Sequence, residues 1–359
     1  MGNNRRLKQA MCKAADGKNV TIAFIGGSIT QGSLASRSEF CYQKRVANWW
    51  RKTYPKAEIK DINAGIGGTT SHFGTARVTE DVLNYCPDVV FVEFSVNDEA
   101  NDFFMETYEG LLRRILNAEN APAVVLIHNV RYDTGGNAQV FHAKVGRYYD
   151  LPSVSMQNTI FQKVVSGELE AKEITEDNLH PNDYGHQLVA EVITDFLADI
   201  HKNRQEQEMA YEVPKTPLTI NAYENARRIN AKNCAPEDTK CDGFAKDNRL
   251  QQEITDVFKN GWMADREGAK ICFRVTGSEI AIQYRKTIQH PAPVAEITID
   301  NGQTESVLLD ANFEETWGDC LYLQPVLIHG ENKEHTIEIK VIYAPDKKIP
   351  FYLNAVIVA

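Results

Sequence analysis

Four short segments of this 359-residue chain hold the residue types that acyl transfer needs. Gly26-Gly27-Ser28-Ile29-Thr30 offers a serine, and Asn63-Ala64-Gly65-Ile66-Gly67-Gly68-Thr69-Thr70 offers a glycine-rich loop. Ser95-Val96-Asn97-Asp98 offers an amide. Asp177-Asn178-Leu179-His180-Pro181 offers a carboxylate and an imidazole three residues apart. A serine hydroxyl is a poor nucleophile until a base takes its proton. His180 can be that base, and Asp177 can hold the imidazole in one tautomer and stabilise its cation. Charge developing on a carbonyl oxygen needs fixed donors. The backbone N–H groups of Ser28 and Gly68, with the Asn97 side-chain amide, can supply them. Taken singly, each segment has a plainer reading: Gly-Gly-Ser after a strand is usually a turn, and His-Pro usually a loop. Residues 26–33 lack the Lys-Ser/Thr of a phosphate-binding loop, and residues 65–68 miss the spacing of a dinucleotide fingerprint.

The elements around these segments give them a common place. Apolar runs at 20–25, 59–62, 88–94 and 123–127 read as strands. Helical periodicity at 39–54, 105–118, 139–149 and 183–200 reads as helices. Continuous apolar strands between helices imply a parallel sheet covered on both faces. Ligands of such sheets bind beyond the carboxyl ends of the strands. Three of the four segments follow strands directly, and the fourth precedes the last helix. All four should meet at one rim.

The four segments resemble the blocks of the SGNH (GDSL-like) hydrolase family, named for Ser, Gly, Asn and His. Gly27 stands where the family often has Asp, and Ser95 where Gly is common. Residues 177–181 match Asp-x-x-His-Pro in full. The similarity covers about residues 18–200. It implies a flavodoxin-like doubly wound parallel sheet, with Ser28, Asp177 and His180 catalytic and Ser28, Gly68 and Asn97 forming the oxyanion hole. No cofactor and no metal are expected.

Beyond residue 201 the pattern changes. A charged run at 201–208 and Pro214 and Pro217 interrupt the chain. Strand signals then dominate at 270–275, 279–284, 294–299, 304–309, 335–342 and 352–358, several with strict alternation. This reads as a β-sandwich of jelly-roll type. The expected division is 1–205 for the catalytic domain and 206–359 for a linker and sandwich resembling a carbohydrate-binding module. An SGNH domain followed by such a sandwich resembles two-domain carbohydrate O-acetylesterases, among them those acting on mannan-derived oligosaccharides. Trp317 and Trp262 sit in polar, loop-like contexts of the second domain and are candidates for stacking on a sugar ring. His128 and Arg131, like His72, lie near strand ends and are candidate substrate contacts. Asp98 reads equally as an anchor of the Asn97 loop or a turn aspartate. Glu93 reads as structural, and His186 as a helix histidine. Trp49 and Trp50 read as packing.

Composition narrows the alternatives. A net charge of −10 disfavours nucleic acid as a partner. Arg5, Arg6 and Lys8 read as a solvated N-terminal face. No apolar run approaches the roughly 18–20 residues that span a bilayer, so no membrane partner is expected. Seven cysteines without a framework, and a polar start, lead to the expectation of a cytoplasmic protein. Self-association into a homo-oligomer stays open. The expected function is a serine esterase removing acetyl groups from carbohydrate. The alternative is an SGNH esterase acting on lysophospholipids or acyl thioesters. A sugar-binding protein with a vestigial site is the third reading, disfavoured by the intact Ser28, Asn97, Asp177 and His180.

Overall fold

The computed structural model describes residues 2–251, 253–302, 305–345 and 348–359. The chain forms two compact units, Met1–Glu224 and Asn225–Ala359.

The first unit alternates helices and strands. In chain order these are α1 (Arg5–Ala15), β1 (Val20–Gly26), α2 (Ser28–Gln31), α3 (Tyr42–Thr53), β2 (Ile59–Gly65), α4 (Ser71–Asp81), β3 (Val89–Glu93) and α5 (Asp102–Leu116). There follow β4 (Ala123–His128), α6 (Gln139–Tyr148), β5 (Ser153–Ser155), α7 (Ile160–Val165), α8 (Ala171–Ile174) and α9 (Asp183–Lys202). The five strands form one parallel sheet in the order β2-β1-β3-β4-β5. This is the doubly wound topology expected from the sequence. Chain direction across the sheet reverses beside β1, which makes the β1/β3 edge the switch point where such folds bind ligands. Gly26 pairs with both Gly65 and Glu93, so β2, β1 and β3 end at one level. Phe24 and Phe91 stack at 4.7 Å within the core beneath that rim.

Three parts of this unit differ from the sequence reading. The N-terminal stretch is a helix, not a solvated face, because Leu7, Ala10, Met11 and Ala14 make a buried stripe. Arg6 reaches the Leu116 and Pro122 carbonyls, and Lys8 pairs with Glu208 at 2.9 Å. Helix α4 carried no periodic signal, because residues 71–78 are buried on every face. The first unit also continues past residue 205. Its last segment is strapped to α5: Leu218 and Thr219 donate their N–H groups to Glu109 at 2.6 and 2.7 Å, and Arg113 pairs with Glu224 at 2.6 Å.

The second unit is a pair of antiparallel sheets. Its strands are β6 (Arg227–Ile229), β7 (Thr239–Asp242), β8 (Ala245–Lys246), β9 (Trp262–Ala264), β10 (Lys270–Gly277) and β11 (Ile280–Lys286). The rest are β12 (Val294–Ile299), β13 (Val307–Asp310), β14 (Cys320–Leu327), β15 (Lys333–Tyr343) and β16 (Phe351–Val358). One sheet runs β13-β12-β15-β10-β7 and the other β14-β11-β16-β9-β8, with β6 beside β16. Ile271, Phe273 and Ile339 from one sheet meet Ile282, Trp262 and Leu353 from the other in a shared core. Five of the six expected strands are present with shifted ends or none. The sixth is β13, and Thr304 at its expected start lies outside the described residues. Strand β14 was missed: its apolar run, Cys320 to Leu323, is cut short by Gln324 and Pro325, and most of the strand is only half-buried. Among the described residues, no helix is long and apolar enough to cross a membrane.

Candidate active site

Ser28 sits at the first position of α2, directly after β1, and is nearly buried. Its Oγ lies 2.7 Å from His180 Nε2. His180 Nδ1 lies 2.6 Å from Asp177 Oδ2. The other Asp177 oxygen accepts the N–H groups of His180 (2.7 Å) and Leu179 (2.9 Å) and the Thr175 hydroxyl (3.1 Å). Burial works against the Asp177 charge. Hydrogen bonds from the His180 ring and from these two backbone groups outweigh it and bring the pKa down to about 2. The carboxylate is therefore charged at neutral pH and faces the imidazole. The turn is held by Asn178, which adopts the left-handed conformation, and by the Thr175–Pro181 bridge before Asn182 caps α9.

The glycine loop and the Asn97 segment close on the same serine. A Cβ added at Gly67 would lie 3.7 Å from Ser28 Cβ. Gln31, one turn beyond Ser28, accepts the Gly67 N–H at 2.6 Å, and the next residue, Gly68, has φ +67°. A left-handed residue here favours glycine and turns the chain between Gly67 and α4. Asn97 lies against Gly27: a Cβ at residue 27 would come within 2.1 Å of Asn97 Oδ1. This explains the first departure from the family pattern, since an aspartate at 27 would displace Asn97 as it stands. The second departure also has a use. Ser95 Oγ donates to the Asn129 carbonyl at 2.9 Å and ties the β3 end to the β4 end.

The rim is built on buried polar side chains, of which the sequence singled out Glu93 and not Arg77. Arg77 of α4 donates to the Ala64 (2.8 Å) and Gly26 (3.2 Å) carbonyls, joining the ends of β2 and β1 beneath Ser28. Glu93 is fully buried, with Thr30 Oγ1 at 3.2 Å from Oε2. Burial, with Asp98 nearby, pushes its pKa up to about 7.

Residues 24–188 match the GDSL-like Lipase/Acylhydrolase family. The crystal structure of a two-domain esterase active on acetylated mannans is 50% identical, covers 99% of this chain and 95% of that one, and superposes with a TM-score of 0.95. This chain belongs to the GDSL-like hydrolase family. It is a carboxylic ester hydrolase. A second crystal structure of a two-domain esterase active on acetylated mannans, co-crystallised with mannopentaose, matches over the same shares at TM-score 0.94. An acetylxylan esterase of Geobacillus stearothermophilus is 24% identical over 51% of this chain and 95% of its own. Thioesterase 1/protease 1/lysophospholipase L1 of Escherichia coli (strain K12) is 27% identical over 48% of this chain and 80% of its own.

The remaining candidates of this hydrolase fall in different places. Trp262 is wholly buried between the sandwich sheets, 5.2 Å from Phe273, and presents no ring face to a ligand. His128 is also buried, and desolvation, with His142 beside it, brings its pKa down to about 3. A neutral histidine under the rim is not a surface contact; the strand end carried it inward. His72 is buried against Phe103 and Tyr223. Arg131 is on a surface loop and pairs with Asp133 at 3.2 Å. The next residue, Tyr132, donates its N–H to Asn178, which brings that loop against the Asp177–His180 turn. Trp317 is 56% exposed, with its edge against Phe313 and its Nε1 donating to Glu315. Among the described residues, no group of three or more His, Cys, Asp or Glu side chains is placed to hold a metal ion.

Proposed function

We propose that this hydrolase is a serine esterase that removes O-acetyl groups from carbohydrate, foremost acetylated manno-oligosaccharides. The continuous Ser28–His180–Asp177 chain, with contacts of 2.7 and 2.6 Å, carries this reading. His180 Nε2 takes the Ser28 proton as Oγ attacks the acetyl carbonyl carbon. The resulting oxyanion is held by the N–H groups of Ser28 and Gly68 and the Asn97 amide. Collapse of the intermediate breaks the ester C–O bond, and His180 returns the proton to the departing sugar oxygen. Water then gives a proton to His180 and attacks the acyl-enzyme, and acetate leaves as Ser28 regains its hydrogen. Asp177 keeps the imidazole oriented and stabilises its cation throughout.

The acetyl-sugar part of the reading is supported by the 50% identical esterases, described as active on acetylated mannans. Trp317 offers an exposed ring for a pyranose, and Arg131 a polar contact at the rim. On this reading residues 206–359 hold a linker and a carbohydrate-binding-module-like jelly roll, and the protein works in the cytoplasm on imported oligosaccharides. The second reading, an esterase or thioesterase for longer acyl groups, is favoured by the Escherichia coli relative. Mass spectrometry of acetylated mannan, xylan and chitin oligomers before and after treatment tests the substrate. It is paired with hydrolysis of 4-nitrophenyl acetate against the butyrate and octanoate. Loss of acetyl groups from mannan oligomers with a steep preference for acetate is expected. Untouched oligomers, with activity rising toward octanoate, would establish the second reading instead.

A further inference from the structure

We propose that Asp98 and His142 are positioning residues that set the spacing of the oxyanion hole. The inference rests on Gly68 and Asn97 being the oxyanion donors. Those donors come from separate loops, and a transition-state contact demands that the loops keep a fixed separation. Asp98 links them. It follows Asn97 in the chain, and its Oδ1 accepts the N–H of Ser71 at 2.8 Å. Ser71 opens α4, three residues after Gly68. The second oxygen, Oδ2, meets His142 Nε2 at 3.0 Å. With one oxygen used on each side, the carboxylate cannot rotate without breaking a contact.

His142 is fixed in its turn. Its ring lies flat on Tyr108, with centroids 3.7 Å apart and planes 3° from parallel. Helix α6, which carries it, is tied to the same loop through the backbone, because Ala138 donates to the Ser95 carbonyl at 2.7 Å. The Ser71 hydroxyl is 2.7 Å from Thr107 of α5. The side chains of Asp98 and His142 are both at 0% exposure. A carboxylate so buried is tolerated only when its oxygens are satisfied. Removing His142 therefore leaves Asp98 to find another partner, and Asn97 and Ser71 move with it. Neither residue touches the reacting atoms, so the effect reaches the chemistry only through the donors.

The test measures 4-nitrophenyl acetate hydrolysis by His142→Phe, His142→Gln, Asn97→Ala and the double variant His142→Phe/Asn97→Ala. Thermal unfolding is run alongside to establish that each is folded at the assay temperature. Phe keeps the stack on Tyr108, and Gln restores an N–H donor. His142→Phe is expected to lower kcat by at least about tenfold with KM within about threefold, because oxyanion contacts act in the transition state. His142→Gln should recover most of that loss. Asn97→Ala should lose about 100-fold or more. The double variant should lose at least about tenfold less than the product of the two separate losses. A kcat for His142→Phe within threefold of wild type, or losses that multiply, overturns the proposal. A small loss in Asn97→Ala overturns the oxyanion reading itself, and the proposal with it. If His142→Phe does not fold, Asp98→Asn answers the same question. It keeps an oxygen for Ser71 but removes the charge facing His142, and kcat should fall while KM holds; unchanged kcat overturns the proposal.

Discussion

The first unit buries carboxylates in two neighbouring regions and uses them differently. On the strap side, each Glu109 oxygen has two donors: Oε1 takes the Tyr149 hydroxyl and the Leu218 N–H, and Oε2 takes the N–H and hydroxyl of Thr219. At the rim, Glu93 is fully buried, with Thr30 at 3.2 Å from its Oε2. Donors on both oxygens let the Glu109 carboxylate clamp whatever donates to it. Glu93 is held toward the neutral form by its burial, with Asp98 nearby, as its raised pKa records. The first region is therefore a clasp that keeps residues 214–224 on the catalytic unit. The second lies at the rim, with Glu93 paired to Gly26 beside the Ser28 site.

The largest effect that can break this contrast is at the serine. Ser28→Ala should lower kcat by on the order of 10⁶-fold without lowering the melting temperature. A variant that loses its fold along with its activity would make the rim structural after all. Next is the clasp. Glu109→Ala strands four donors, the Tyr149 hydroxyl buried and the others part-buried, and should cost about 1–3 kcal/mol of stability. Near 25 °C its kcat should stay within threefold of wild type. A large kcat loss in a folded Glu109→Ala would show that the two regions are not separable.

A smaller effect separates the two tryptophans of the sandwich. Trp317→Ala should cut deacetylation of oligosaccharides about tenfold more than hydrolysis of 4-nitrophenyl acetate, the worth of about 1.4 kcal/mol of binding. Equal losses on both substrates would reduce Trp317 to packing. The last effect is a pH dependence. Glu93 has its pKa raised from 4.5 to about 7, so the folded state binds its proton more tightly than the unfolded state. Its ionisation then opposes folding, and stability is lost as pH rises from about 4.5 to about 7. Between pH 5 and pH 8, Glu93→Gln should gain about 5–10 °C in melting temperature relative to wild type. The same difference at both pH values would remove Glu93 from the contrast.

What the sequence disclosed followed the same division. The four segments around Ser28, Gly68, Asn97 and His180 were legible because they carry the residue types of acyl transfer in a set order, and strand ends fix their place. The doubly wound sheet was legible from its apolar strands. The supports were not. Arg77 and His142 act on partners far along the chain, and nothing in their neighbours names those partners; Asp98 was legible as one of two readings, an anchor of the Asn97 loop, but without its partners Ser71 and His142. The clasp was hidden for the same reason: the charged run at 201–208 and Pro214 and Pro217 read as an interruption of the chain, while Glu109, which holds Leu218 and Thr219, lies on α5. The tryptophans show the limit of local context. Trp262 and Trp317 both sit among polar residues in sequence, yet one is enclosed by Phe273 and the opposing sheet and the other stands exposed.

The central claim is that the acyl group passes through Ser28. Rapid quenching of the enzyme during turnover of 4-nitrophenyl acetate, followed by peptide mass spectrometry, tests it directly. The account predicts an acetyl group on Ser28, formed at the rate of the first release of 4-nitrophenol and lost at the rate of turnover. Turnover with Ser28 unmodified and the acetyl group on another side chain would contradict it.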